Sequence, residues 1–236
     1  MYEITANVCI APNVYEMTIA GDTSNIKAPG QFVNIRIDGL YLRRPISICD
    51  WGDGWIRLIY KVVGKGTAKM SEMTAGHKLD VLVGLGNGYN MEAARGKKIV
   101  LVGGGVGVPP LYGLAKRLAG ENITCVLGFN TASEVFYADK FAEFAQVHVT
   151  TADGTCGIKG FVTDALKDMD YDYYLTCGPE PMLKAVHGLG REGQLSFEAR
   201  MGCGFGACMG CSCETLTGTK RICVEGPVMK SGEVRF

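Results

Sequence analysis

The chain has no surplus of charge. Its 236 residues carry 24 basic and 24 acidic side chains, and no block of like charges disturbs that balance. A nucleic-acid partner is therefore disfavoured, because phosphate binding needs a basic footprint. A long apolar run is missing as well. The most membrane-like stretch, residues 99–115, is broken by a short run holding four glycines and then by Pro109 and Pro110. A spanning helix needs about 20 predominantly apolar residues, so no membrane span is expected. Residues 1–10 hold no basic segment followed by a long apolar one, which predicts no secretory leader and a cytoplasmic location. The three histidines, His77, His148 and His187, lie in unrelated places, and no G-x-S-x-G or other hydrolase signature accompanies them. Internal repeats and low-complexity linkers are also absent, so the parts of the chain are expected to pack as one rigid unit.

Cysteine, by contrast, is plentiful. Ten are present, and five of them fall between Cys203 and Cys223. The total is far below that of a disulfide scaffold, and with no export signal so dense a cluster reads as metal binding. Cys203, Cys208 and Cys211 are spaced C-x4-C-x2-C, and Cys223 follows 12 residues after Cys211. With a distant fourth cysteine, this is the spacing of plant-type [2Fe–2S] ligation. The residues between them, among them Gly204, Gly206 and Gly210, suit a tight loop whose backbone N–H groups point at sulfurs. A zinc site made from closer cysteine pairs is the alternative; the C-x4-C step and the glycines favour iron and sulfide. Cys213, two residues past Cys211, reads as a non-ligand. Cys9, Cys49, Cys125 and Cys156 are scattered and read as small buried apolar side chains.

Three parts are expected. Residues 1–95 carry six short strand candidates (2–11, 15–20, 31–37, 46–50, 55–63 and 79–83) with one helical piece at 67–73, a pattern of a small antiparallel β-barrel. Residues 96–193 alternate strands (99–102, 124–128, 147–150, 173–176) with helices (110–118, 138–144, 161–166, 181–189), which predicts a parallel α/β sheet. Residues 194–236 form a small cysteine- and glycine-rich module. The fold class is thus a β-barrel, a parallel α/β unit and a C-terminal cluster module.

Two segments suit nucleotide cofactors. In Arg43-Arg44-Pro45-Ile46-Ser47 a strand begins; Arg44 offers a fixed cation for a pyrophosphate and Ser47 a hydrogen bond to a flavin ring edge. About 20 residues on, Gly64-Lys65-Gly66-Thr67 opens a helix whose N–H groups and hydroxyl can hold phosphate. Gly103, Gly104, Gly105 and Gly107 form a turn between a strand and a helix, where a dinucleotide can approach the backbone, although Val108 departs from G-x-G-x-x-G. Thr176-Cys177-Gly178-Pro179 ends the last predicted strand at the same sheet edge, and Pro181 suits the first turn of the helix after it. Cys177 could touch a nicotinamide ring or merely pack.

In this order the segments resemble the ferredoxin–NADP reductase superfamily. The C-terminal stretch, Glu198 to Cys211 and then Cys223-Val224-Glu225-Gly226-Pro227-Val228, is similar to the electron-transfer subunits of type B dihydroorotate dehydrogenases. The resemblance implies FAD held by Arg44, Pro45, Ile46 and Ser47, by Ile59, Tyr60 and Lys61, and by Gly66 and Thr67. It implies cluster ligands Cys203, Cys208, Cys211 and Cys223, and NAD(H) as a diffusible substrate. It also implies an FMN-containing dihydroorotate dehydrogenase catalytic subunit as partner, in a heterotetramer of two plus two. The 11 residues between Cys211 and Cys223 are as few as in the small subunits of NADH-dependent ferredoxin–NADP reductase or sulfide dehydrogenase. Those remain the alternative family members, though they tend to carry aspartate where this chain has Cys203. A zinc-stabilised binding protein is a third reading, from another class.

Overall fold

In the computed structural model, which describes residues 1–236, the first unit is a seven-stranded antiparallel sheet. Its strands are β1 (Tyr2–Ala11), β2 (Val14–Ala20), β3 (Phe32–Ile35), β4 (Arg44–Gly52), β5 (Trp55–Lys61), β6 (Lys78–Leu79) and β7 (Val81–Leu85), and α1 (Lys65–Ser71) lies between β5 and β6. The spatial order is β6-β1-β2-β5-β4-β3-β7. Because β6 and β7 are separated in sequence by Asp80 alone, the two edges of the sheet meet and the strip curls into a barrel. Ile4, Met17, Ile19, Ile35, Ile48, Ile56 and Leu58 alternate inward and fill it. The expected strand at 79–83 is two strands bent at Asp80. Arg43 holds that corner, donating from Nη1 and Nη2 to the two Asp80 carboxylate oxygens at 3.0 and 2.8 Å.

The second unit is a parallel sheet of β8 (Ile99–Gly104), β9 (Ile123–Phe129), β10 (Gln146–Thr151), β11 (Ile158–Lys159), β12 (Tyr173–Cys177) and β13 (Glu192–Ser196), crossed by α2 (Pro109–Arg117), α3 (Ala138–Phe141), α4 (Val162–Leu166) and α5 (Glu180–His187). The order is β11-β10-β9-β8-β12-β13, and β16 (Val228–Lys230) adds an antiparallel edge beside β13. Strand β13 runs across the expected boundary at 193/194, and β16 comes from the C-terminal segment. The remainder of that segment carries the hairpin β14 (Ser212–Thr215) and β15 (Gly218–Arg221).

The three parts are locked together by polar side chains. Asp50, 2% exposed, lies between Lys116 Nζ (2.9 Å) and Arg117 Nη1 (3.1 Å) of α2. Gly113 lets α2 lie directly on the barrel, since a Cβ there would sit 2.6 Å from the Cys49 carbonyl oxygen. Asn87, at the end of the barrel, donates from Nδ2 to the Glu225 and Val228 carbonyls and accepts from Val228 N–H. No helix is long and apolar enough to cross a membrane.

Of the scattered cysteines, Cys49 and Cys125 are buried as expected. Cys9 is a correction: it lies beside exposed Val8 in a stretch of β1 where register shifts interrupt the alternation and both side chains reach solvent, and its thiol donates to the Ala11 carbonyl. Cys156 is a second, only half-buried in the loop between β10 and β11.

Candidate functional site

The cysteine cluster is built by glycine geometry. Gly204 and Gly206 have φ of +82° and +91° and Met209 of +57°, so the loop after Cys203 turns through the left-handed region that glycine permits. The turn aims backbone N–H groups at sulfur. Cys208 N–H lies 3.4 Å from Cys203 Sγ and Cys203 N–H 3.4 Å from Cys208 Sγ. Partial burial raises the Cys203 thiol, but the N–H groups of Phe205, Cys208 and Ala207 outweigh it and bring the thiol down to about 6. Cys211 and Cys223 form a second pair, with Cys223 N–H 3.4 Å from Cys211 Sγ. Burial first, and then Cys211 beside it, pushes the Cys223 thiol up to about 12.

The thiols therefore come as two pairs. No three metal-ligating side chains gather tightly enough to hold a single ion. Two such pairs in one loop region fit a binuclear centre with two thiolates on each iron better than one tetrahedral zinc. Cys213 stands apart on β14 and packs, half-buried, against the core beneath.

The flavin-type segment is assembled from β4 and the start of α1. Arg44 lies against Gly66 so closely that a Cβ on Gly66 would be 2.0 Å from Arg44 Nε. The two segments, far apart in sequence, thus form one cradle with a guanidinium on its wall, which suits a pyrophosphate. Pro45, Ile46 and Ser47 follow, half-buried, along β4. The Thr67 hydroxyl is already engaged: it accepts from Val63 and Gly64 N–H and donates to the Gly64 carbonyl. It shapes the turn. On β5 the Tyr60 ring points into the barrel, where its hydroxyl donates to Asn7 Oδ1 at 3.1 Å. Ile59 and Lys61 lie on the opposite side of the strand.

The third site is a cleft of about 600 Å³ at the carboxyl ends of the parallel strands. Register explains it. Gly104 of β8 pairs with Gly128 of β9, and Gly128 with Thr150 of β10, so all three form one row along the sheet edge. All three line the cleft, with Gly105 and Pro179 beside them. Gly104 meets Pro179 and Met182, while Gly107 abuts the Cys177 carbonyl, where a Cβ would sit at 2.2 Å. Of the glycine run, Gly104 and Gly105 face the cleft; Gly103 and Gly107 pack under it. Cys177 is buried, and burial first, then Glu198, pushes its thiol up to about 12. Thr150 Oγ1 is buried without a hydrogen-bond partner, an unmatched donor and acceptor that a dinucleotide can satisfy.

Like Thr150, four further lining residues with a role to offer were not singled out from the sequence as site residues. Glu134 accepts from Lys61 Nζ at 3.3 Å and from Asn130 Nδ2 at 2.8 Å. Glu198 is partly buried, and burial raises its carboxyl. Phe161 presents an exposed ring at the cleft. Gly128 completes the row. Only the placement of ligands at strand carboxyl ends could have pointed to them.

The residues 198–235 match the family model for the iron–sulfur cluster binding domain of dihydroorotate dehydrogenase B, and 101–188 match the oxidoreductase NAD-binding domain. The chain is 46% identical to the dihydroorotate dehydrogenase B (NAD(+)) electron transfer subunit of Geobacillus sp. (strain WCH70), over 95% of this chain and 94% of that one. It belongs to that family of electron transfer subunits. The subunit of the same name from Fusobacterium nucleatum is 44% identical over 99% of this chain and 97% of its own. Among solved structures, an NADH-dependent reduced ferredoxin–NADP oxidoreductase aligns with a TM-score of 0.88 and 34% identity, over 100% of this chain and 90% of that chain. A ferredoxin NADP+ reductase from Neisseria gonorrhoeae, at 16% identity and a TM-score of 0.68 over 80% of this chain and 89% of its own, shares the fold. Of the expected architecture of flavin barrel, nicotinamide unit and cluster module, the last two are the segments that the family models match.

Proposed function

We propose that the chain passes electrons from NADH through FAD and a [2Fe–2S] cluster to an FMN-containing catalytic subunit that oxidises dihydroorotate to orotate, or carries them in reverse. The observation that carries this reading is the arrangement of four cysteines as two pairs, beside the flavin-type strand of the barrel. Bound FAD accepts a hydride and releases single electrons, which is the conversion that a one-electron cluster needs.

The chain's own residues hold and orient. Arg44 and the Gly66 cradle take the FAD pyrophosphate; Pro45, Ile46, Ser47, Ile59 and Lys61 border the ring, and Tyr60 and Thr67 fix the strand and turn around it. Gly103, Gly104, Gly105, Gly107, Cys177, Gly178 and Pro179 shape the nicotinamide cleft, and Thr150 supplies its hydroxyl. Cys203, Cys208, Cys211 and Cys223 are the cluster ligands. No side-chain general base is needed in this subunit, and none of the histidines lines the cleft.

The catalytic subunit docks over the cluster loop, where Phe205, Met209 and Val224 are exposed, in a two-plus-two heterotetramer. Ten unpaired cysteines suit the reducing cytoplasm.

The test is anaerobic purification with iron, sulfide and flavin analysis, followed by reconstitution with an FMN-containing dihydroorotate dehydrogenase catalytic subunit and assay of NAD-linked orotate formation. Colourless protein holding stoichiometric zinc would end the redox reading. A tight partner that lacks FMN or ignores dihydroorotate would leave the second reading, a subunit feeding a different acceptor.

A further inference from the structure

Strand β3 reads Phe-Val-Asn-Ile, and all four residues are buried. Asn34 is out of pattern there. A buried carboxamide is costly unless its donor and acceptor are both matched. Only half of this one is. Its Nδ2 donates to the Cys203 backbone carbonyl at 3.1 Å, across 169 residues of chain. Its Oδ1 is buried with no hydrogen-bond partner. The orientation is set by chemistry, because turning the amide over would point Oδ1 at the Cys203 carbonyl oxygen and strand the NH2 group.

The position of Asn34 is as telling as its bonding. It pairs in register with Pro45 of β4, between Arg44 and Ile46, and Phe32, two residues earlier, pairs with Ser47. On the other side the cluster loop comes as near as a residue without a side chain allows. A Cβ on Gly204 would sit 2.5 Å from Asn34 Nδ2, and Gly204 adopts a φ of +82°. One side chain therefore stands between the flavin-type strand and the loop that carries Cys203 and Cys208. Its donor half is used by the loop, and its acceptor half is unused.

We infer that Asn34 is the positioning residue that couples the two redox centres: its NH2 group fixes the backbone of the first cluster ligand, and its free carbonyl oxygen accepts an N–H or O–H donor from the bound flavin. The inference rests on the function proposed above, with FAD on β4 and the cluster on the four cysteines. Asn34 itself carries no electron. One electron leaves the reduced flavin and one arrives at the oxidised cluster; the amide sets the separation and alignment over which it moves.

The test uses the full-length protein, loaded anaerobically with both cofactors, as Asn34→Leu and Asn34→Ala. Three quantities are read: the flavin absorption band, the electron paramagnetic resonance signal of the reduced cluster, and, by stopped flow, the separate rates of flavin and cluster reduction by NADH. In both variants flavin reduction is expected to stay near the wild-type rate, the flavin band to shift, and cluster reduction to slow by about tenfold or more, as for other small misplacements of reacting groups. Wild-type cluster reduction with an unshifted flavin band in either loaded variant overturns the inference. So does loss of the cluster from both variants while FAD stays bound with an unchanged band, since that is a purely structural role. Wild-type protein that binds neither FAD nor iron and sulfide is a different failure, that of the proposed function itself.

Discussion

Thr150, at the end of β10, lines the cleft, and nothing in the protein bonds to its buried hydroxyl. Two readings of such an atom lead to opposite results. If it only packs, Thr150→Val removes a desolvation penalty and leaves cofactor affinity alone. If it serves a dinucleotide, the same change weakens NADH binding by about tenfold, the value of one lost hydrogen bond to a ligand, while thermal stability holds or rises. We expect the second pattern, read from the KM for NADH with a dye acceptor beside the melting temperature. Gly66 offers a similar contrast. Gly→Ala inside a helix ordinarily stabilises by roughly 1 kcal/mol. Here the new methyl would meet Arg44 Nε at 2.0 Å and must displace the guanidinium. Gly66→Ala is expected to lose FAD on dialysis while the barrel still folds, as followed by flavin fluorescence in the filtrate and by circular dichroism.

Between elements, charge does the joining, and two ion pairs can be probed separately. Asp50 is enclosed by the barrel and α2, whereas Lys116 and Arg117 keep part of their surface in water and Arg117 also lies 3.5 Å over the Trp51 ring. Removing one partner of a fully buried pair costs about 3–5 kcal/mol. Asp50→Ala should cost somewhat less, about 2–3 kcal/mol, because the two cations can turn outward; the midpoint of urea unfolding measures it. At the β6–β7 corner, hydrogen bonding to Arg43 holds the Asp80 carboxyl below its ordinary value of 3.8. A depressed carboxyl stabilises the fold above that ordinary value, and the contribution fades as pH falls through the lower folded-state value. Acid unfolding of Asp80→Asn should therefore show a flatter limb below pH 3.8 than the wild type. Elements with strong local signals were legible in the sequence: the β/α alternation after residue 96, the glycine turn after β8, and the C-x4-C-x2-C loop. Strands β6 and β11 are two residues long and β13 is rich in polar residues and glycine, so they form because neighbours present an open edge rather than from their own propensity; β14 and β15, equally polar, pair only with each other across a tight turn. The row Gly104–Gly128–Thr150 and the Asn34–Cys203 bond were illegible for a different reason. Each joins distant segments, and only the register of a folded sheet aligns them.

At the scale of the whole molecule, the barrel is common to all three sites: its Val14 and Lys61 line the cleft and its Asn34 bonds the cluster loop. The nicotinamide cleft opens at the carboxyl edge of the parallel sheet, the Arg44–Gly66 cradle lies on the barrel beside it, and the cluster loop touches the barrel through Asn34 on β3. Asn87 and Tyr89, at the end of the barrel, tie it to the C-terminal segment and to β12, so the sites are held on one frame. The cluster loop is also where apolar surface reaches solvent: Phe205 is 57% and Met209 55% exposed. Large side chains left bare beside a redox centre mark an interface, and desolvating a charge there is costly. Phe205→Glu should therefore weaken association with the catalytic subunit by about 100-fold, a loss typical of one strong interface residue, and leave NADH oxidation by a dye unchanged. Cys208→Ser should do the reverse, keeping the partner bound while delivery of electrons to it stops. Gel filtration of the mixed subunits separates the first effect, and orotate-linked turnover with the dye assay separates the second. If Phe205→Glu binds the partner with wild-type affinity, the docking face lies elsewhere on the molecule, and electrons leave the cluster through another surface.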